Sequence, residues 1–206
     1  MTENVKQDEQ ERHRSKMANR KAAQDAEVAS KTVAEKGLLI VHTGTGKGKS
    51  TAAFGLALRM LGRGKRVGVV QFIKGAWHTA ERDALAKFGD QVSWHTMGEG
   101  FTWETQDRVR DVAAAERAFA KAQELMADPS FGLVILDELN IALRYDYLDL
   151  AVVLAALKAR RPDLHVVVTG RNAKPELIEA ADLVTEMTLV KHHFASGVKA
   201  QEGIEF

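Results

Sequence analysis

An apolar, β-branched run passes without a break into three glycines within five residues and then into a helix-forming stretch: Leu38-Leu39-Ile40-Val41-His42-Thr43, then Gly44-Thr45-Gly46-Lys47-Gly48, then Lys49-Ser50-Thr51-Ala52-Ala53-Phe54. A strand that turns straight into a helix comes back as a parallel strand, because the helix carries the chain back along the face of the sheet. The glycines let successive backbone N–H groups converge on an anion, and the helix N-terminus and the Lys49 ammonium add positive charge there. This is the make-up of a phosphate-binding P-loop, and it assigns Gly44, Thr45, Gly46, Lys47, Gly48, Lys49, Ser50 and Thr51 to the phosphates of a nucleotide. The Ser50 hydroxyl suits Mg2+. The usual spacing G-x-x-x-x-G-K-[ST] asks for glycine at position 43, where Thr43 stands; the first glycine comes one residue later, so the loop is a variant.

Beyond this loop, β-branched runs alternate with helical patterns, as a βαβ sheet requires. Strands are expected at Leu38–His42, Arg66–Ile73, Gln91–Met97, Leu133–Asp137, His165–Thr169 and Leu183–Val190. Val112, Ala115, Phe119, Ala122 and Met126 mark the core face of a long helix that Asp128-Pro129 terminates. Near-continuous apolar strands such as LVIL and HVVV imply burial on both sides. The expected fold is therefore α/β: a mostly parallel sheet with helices on both faces, of the P-loop, RecA-like kind, with an N-terminal helical extension. Asp137 and Glu138 end the LVIL strand at the carboxyl edge, where ligands of open α/β sheets sit. There they can hold Mg2+, with Mn2+ as an alternative, or cap the next helix.

The 29 basic and 28 acidic side chains leave a net charge of +1, so no overall field favours nucleic acid or an anionic membrane. With no cysteine, disulfides, thiolate-held clusters and cysteine nucleophiles are excluded. The opening MTENVKQDEQERHRSK lacks a signal-like apolar stretch and AVVLAAL at 151–157 is too short to span a bilayer, so a cytoplasmic protein is expected. Residues 1–36 carry eight Lys or Arg, seven Asp or Glu and no aromatic residue, so they cannot build a core. They are expected to form an appendage to a 37–206 domain, either a frayed tail or a helix whose stripe Ala22, Ala26, Ala29 and Val33 covers something. Lys191, His192 and His193 invite a metal reading, but on a strand adjacent histidines point to opposite faces.

Phe101 and Trp103 lie in Gly100-Phe101-Thr102-Trp103-Glu104-Thr105, either as contacts to a flat ligand or as anchors that pin a loop to the core. With this segment the chain resembles the P-loop type of cob(I)alamin, or corrinoid, adenosyltransferase. The resemblance runs from Gly37 to Phe206 through TGTGKGKSTAAFG, GVVQFIKGAW, GFTWET, VILDELN, YDYL, VTGR and GVKAQEGIEF. GFTWET and the tail are far more specific than the P-loop. Family sequences often carry threonine where Ser50 stands, and the hydroxyl is retained; His78-Thr79-Ala80 after GAW departs from the family pattern.

The resemblance implies transfer of the 5′-deoxyadenosyl group of ATP to Co(I) of a corrinoid, with tripolyphosphate released. It implies an ATP orientation unlike that of ordinary P-loop enzymes, with Lys49, the loop amides and Mg2+ steadying the leaving group. Ser50 and Glu138, and next Asp137, are the implied metal ligands. Phe101 and Trp103 are implied to occupy the lower corrin face, displacing the axial ligand that makes reduction to Co(I) difficult. A homodimer, a flavoprotein electron donor and an N-terminal cover over the site are further family expectations. Two readings rest on the residues without the resemblance. One is a phosphoryl-transferring or RecA-like NTPase, from Gly44–Ser50 and Asp137; the other is a nonenzymatic nucleotide-gated binding module, from the charged N-terminal segment.

Overall fold

Among the described residues the β-branched runs form six strands, β1 Leu39–Thr43, β2 Arg66–Gln71, β3 Val92–Thr96, β4 Phe131–Asp137, β5 His165–Thr169 and β6 Leu183–Glu186. The computed structural model describes residues 2–33, 35–73, 79–97 and 107–205, with residues 2–6 as backbone alone. Every strand pairing is parallel and the order is β3-β2-β4-β5-β1-β6, so the sheet has the expected α/β character. The helices are α1 Thr2–Ala29, α2 Lys49–Leu61, α3 Ala80–Ala86, α4 Arg108–Ala127, α5 Leu139–Arg144, α6 Leu150–Lys158 and α7 Pro175–Ala180.

Side chains alternate across a strand, and here both sets are apolar. Ile40, Val67, Val69, Leu133, Ile135 and Val167 form one core with Ala53, Phe54, Ala57 and Leu61 of α2 and Leu85 of α3. Leu39, Val41, Val70, Val134, Leu136, Val166 and Val168 share the other core with α4 to α7. The stripe expected on α4 faces that second core, with Ala115, Phe119, Ala122 and Met126 buried and Val112 packed beside them. Asp107 starts this helix by accepting from Val109 N and Arg110 N, and Asp128 ends it. Leu157, with no exposed surface, illustrates the energetics: its truncation to alanine costs about 2–5 kcal/mol.

Boundaries shift by one residue at each end of β1 and β3, β4 begins at Phe131 rather than Leu133, and two other strands end early. The sixth strand stops at Glu186, not Val190, because Met187 turns across the glycine loop: its N–H donates to Thr43 O at 2.9 Å and its carbonyl accepts from Gly46 N at 2.6 Å. The second strand ends at Gln71 rather than Ile73.

Residues Met1–Glu35 make one unit and Lys36–Phe206 another. In the first, α1 lacks glycine and proline, and every side chain from Gln7 to Ala29 is exposed. Asp8 and Arg12 pair at 2.8 Å one turn apart on this surface. Ala22, Ala26 and Ala29 lie on the helix, whereas Val33 falls beyond its end. Among the described residues no helix is long and apolar enough to cross a membrane.

Candidate active site

The glycine loop follows β1 directly, and close packing decides where its glycines fall. Gly44 has φ +94° and Gly48 φ +101°, conformations that L side chains rarely adopt. A Cβ on Gly44 would lie 2.4 Å from the Met187 carbonyl oxygen, and one on Gly46 would lie 2.8 Å from both the Met187 and Thr188 carbonyls. Thr43 needs no such freedom: it is the last residue of β1, is buried, and its Oγ1 accepts from Ala173 N at 3.0 Å. The glycine missing at position 43 is thus replaced by a strand-end threonine that ties β1 to the segment after β5.

Lys49, only 7% exposed, turns its ammonium back onto the loop and donates to the carbonyls of Gly44, at 3.0 Å, and Gly46. Desolvation by burial pushes its pKa down; Glu138 opposes this, while the Arg171 and Lys47 cations add to it. A cationic group held this way gains most from an anion brought into the loop. Thr45, Lys47, Gly48 and Thr51 are exposed, Gly44 and Gly46 are buried, and Ser50 is half-buried at the start of α2.

A row of polar side chains crosses the carboxyl ends of the strands. Strand register aligns Thr96 with Gln71, Gln71 with Asp137, and Thr169 with His42. Two residues earlier on the same face stand the apolar Trp94, Val69, Ile135, Val167 and Ile40, so this row marks where the α2-side core gives way to polar chemistry. Asp137, with no exposed surface, is its centre. Its Oδ1 accepts from Ser50 Oγ at 2.7 Å and Thr169 Oγ1 at 2.8 Å, and its Oδ2 accepts from Gln71 Nε2 at 3.0 Å. At the row's other side, His42 Nδ1 lies 3.2 Å from Lys49 O.

Glu138 follows in the left-handed region, φ 62° and ψ 21°, where a residue with a Cβ is strained by roughly 1–2 kcal/mol. Its N–H donates to Thr169 Oγ1 at 2.9 Å. A Cβ at Gly170 would come within 3.0 Å of Glu138 Oε2 and 2.9 Å of Asn140 Cβ, so this glycine leaves room for the carboxylate. Ser50, Asp137 and Glu138 offer only hard oxygen donors, and with Asp137 already on Ser50 Oγ this set fits Mg2+ beside polyphosphate.

The C-terminal segment also reaches the loop. Lys47 Nζ pairs with Glu205 at 2.9 Å, and His193 Nε2 lies 3.4 Å from the same oxygen. The Lys47 hydrogen bond is the main cause that holds the Glu205 carboxyl below its usual pKa. Contrary to the strand-based expectation, His192 and His193 lie on the same side: His193 begins a tight 3-10 turn, and the rings stack with centroids 4.7 Å apart. With Glu205 they offer ligand atoms within 4.8 Å of one another. However, Lys47 neutralises the carboxylate and Phe194 N donates to His192 Nδ1 at 3.1 Å, so the group acts as a clasp between loop and tail.

The residues assigned from the sequence to phosphate and metal, Gly44–Thr51 with Asp137 and Glu138, thus meet at one edge of the sheet. Phe101 and Trp103 lie outside the described residues. Gln71, Thr169, Thr43 and Glu205 went unassigned; the available signal was a lone polar residue closing each of the apolar runs GVV and VVV.

Comparison with known proteins identifies the family. Residues 35–206 match the model of a family described as ATP:corrinoid adenosyltransferase BtuR/CobO/CobP, and residues 1–28 match one described as Cob(I)alamin adenosyltransferase N terminal. A corrinoid adenosyltransferase of Pseudomonas aeruginosa is 57% identical over 203 residues, covering 98% of this chain and all of the relative. One from a Sinorhizobium species is 60% identical, covering 95% of this chain and 92% of the relative. The corrinoid adenosyltransferase CobA of Salmonella typhimurium is 46% identical, covering 95% of this chain and 98% of the relative. A glycine loop of unusual spacing, a buried aspartate on the Ser50 hydroxyl and a tail that returns to Lys47 are therefore features of a chain that belongs to the ATP:corrinoid adenosyltransferase BtuR/CobO/CobP family.

Proposed function

We propose that this chain transfers the 5′-deoxyadenosyl group of ATP to the cobalt of a reduced corrinoid and releases tripolyphosphate. The observation that carries the reading is the family match over residues 35–206, which contain the loop, Lys49 and the Ser50–Asp137 pair. The Co(I) centre of the corrinoid substrate supplies an electron pair to the ribose 5′ carbon. The carbon–oxygen bond to the α-phosphate breaks, its electron pair leaves on tripolyphosphate, and cobalt ends as alkyl-Co(III).

The protein's part is to hold the departing polyphosphate while negative charge grows on it. Lys49 exchanges the Gly44 and Gly46 carbonyls for phosphate oxygens, and the first turn of α2 and the loop amides other than that of Gly46, which Met187 O holds, supply further donors to the same anion. Ser50, Glu138 and Asp137 are the proposed holders of Mg2+, which when bound neutralises charge on the polyphosphate. Phe101 and Trp103 are proposed to take the lower corrin face, on the family resemblance. A flavoprotein electron donor, a homodimer and a cytoplasmic location belong to the same reading.

The test supplies ATP, Mg2+ and chemically reduced corrinoid. One tripolyphosphate for each alkylcobalt formed is the expected result. ADP and phosphate released without corrinoid would assign the site to phosphoryl transfer instead.

A further inference from the structure

Gln71 is the one member of the polar row whose two amide ends are each held by a partner that cannot reverse its role. It is 1% exposed and lies between β3 and β4, in register with Thr96 and Asp137. On one side its Oε1 accepts from Trp94 Nε1 at 3.2 Å and Thr96 Oγ1 at 3.0 Å. On the other its Nε2 donates to Asp137 Oδ2 at 3.0 Å. An indole N–H only donates and an ionised carboxylate only accepts, so a flip of the amide would set donor against donor and acceptor against acceptor.

We propose that Gln71 is a positioning residue for the metal site, fixed by Trp94 and Thr96 and acting through Asp137. Its hydrogen bond anchors Oδ2, which leaves Oδ1 directed at Ser50 Oγ. The Ser50 hydroxyl hydrogen then points at the carboxylate, and the oxygen lone pairs stay available to a cation. The hydrogen-bonded line runs from Ser50 to the end of β3, two residues before Gly98 in the sequence. In this way the strand leading toward Phe101 and Trp103 also sets the orientation of the aspartate beside the nucleotide loop.

The inference rests on the proposed metal role of Ser50 and Asp137, and one experiment separates the two claims. Mn2+ is titrated into the full-length protein with ATP and no corrinoid, and free Mn2+ is read by electron paramagnetic resonance. Gln71→Met should weaken Mn2+ binding about five- to tenfold and Thr96→Val about threefold, the scale of a lost hydrogen bond in each case. Thr96→Ser, which keeps the hydroxyl, should bind as wild type. The double variant Gln71→Met/Thr96→Val should be no weaker than Gln71→Met, because the two act in series. Additive losses, or a wild-type Mn2+ affinity in folded Gln71→Met, overturn the positioning role. If Gln71→Met does not fold, Thr96→Val decides: weakened binding supports the role, and wild-type affinity overturns it. Ser50→Ala tests the underlying reading, since unchanged Mn2+ affinity there removes Ser50 from the metal site. Weakened binding in Ser50→Ala with none in Gln71→Met defeats only the positioning role.

Discussion

Replacing Asp137 by asparagine should leave the metal-free fold largely intact while removing most of the affinity for Mg-ATP. Among the described contacts, three side-chain donors converge on the carboxylate: Ser50 Oγ at 2.7 Å, Thr169 Oγ1 at 2.8 Å and Gln71 Nε2 at 3.0 Å. Asparagine has the same shape but offers one accepting oxygen and one amino group. Gln71 cannot turn round, because Trp94 and Thr96 hold its oxygen, so the asparagine oxygen must take the Oδ2 position. The amino group then faces the two hydroxyls, which rotate to accept. Thr169 Oγ1 already accepts from Glu138 N at 2.9 Å and has a second lone pair to offer. For Ser50, however, rotation turns the hydroxyl hydrogen toward the proposed cation. Three charge-assisted bonds become neutral ones, a loss of about 3–4 kcal/mol. Relief from burying an ionised carboxylate with no exposed surface offsets much of this, at several kcal/mol per ion, and the net change in metal-free stability is within about 2 kcal/mol. Metal affinity has no such offset, and loss of the carboxylate together with the misdirected hydroxyl predicts a roughly hundredfold or greater weakening. Urea melts without metal and calorimetry with Mg-ATP measure the two effects separately. A variant that loses more than about 4 kcal/mol without metal, or that binds Mg-ATP as wild type does, refutes the reasoning.

Other perturbations test the remaining parts. Gly44→Ala combines φ +94° with a Cβ 2.4 Å from Met187 O, so it should destabilise the loop by about 1–3 kcal/mol and weaken ATP binding in calorimetry, roughly tenfold or more. Gly55→Ala, mid-helix with nothing within 4 Å, should instead raise stability by about 0.5–1 kcal/mol in a thermal melt. Asp182 accepts from Leu39 N at 2.9 Å and pairs with Lys36 and Arg160, and the Lys36 hydrogen bond leads the causes that hold its pKa below the ordinary 3.8. Its contribution is therefore complete above that value and fades as pH falls through the depressed one; Asp182→Asn should cost about 1 kcal/mol at neutral pH, with the gap to wild type closing in acid urea melts. On the family resemblance, Phe101→Ala and Trp103→Ala should slow turnover by about tenfold, or ~1.4 kcal/mol, when the corrinoid enters as Co(II), and far less when it enters as Co(I). Equal losses in the two assays would make them packing residues.

The inner strands β1, β2, β4 and β5 were readable because both faces of the sheet are covered there, which makes each one a nearly unbroken apolar run. The same rule extended β6 too far: Leu189 and Val190 look like strand residues but are exposed, and the chain has already left the sheet at Met187 to brace Gly46. The histidine pair misled because alternation was assumed where the backbone makes a tight turn. At the proposed nucleotide site the signal lies in contiguous residues, so Gly44–Thr51 can be proposed without knowledge of their neighbours. What stayed hidden depends on which strands lie side by side. Gln71 and Asp137 are 66 positions apart, and Thr43 and Ala173 are 130 apart.

This distance explains why the polar row is informative once the fold is known. A buried amide, carboxylate and hydroxyl each incur a desolvation penalty that only a satisfied network offsets, so every member is tied to the presence of the others. Gln71 would be an unfavourable core residue beside an apolar position 137, and Asp137 an untenable buried charge without its three donors. The row thus functions as a unit: its orientation is set at the β3 edge, its charge sits at β4, and its output is the direction of one serine hydroxyl at the start of α2. Substitutions along it, and at Trp94 which holds Gln71, should therefore couple to metal binding in proportion to the hydrogen bonds that separate them from Ser50, whereas apolar substitutions at Ile40, Val69, Ile135 and Val167 should change stability alone.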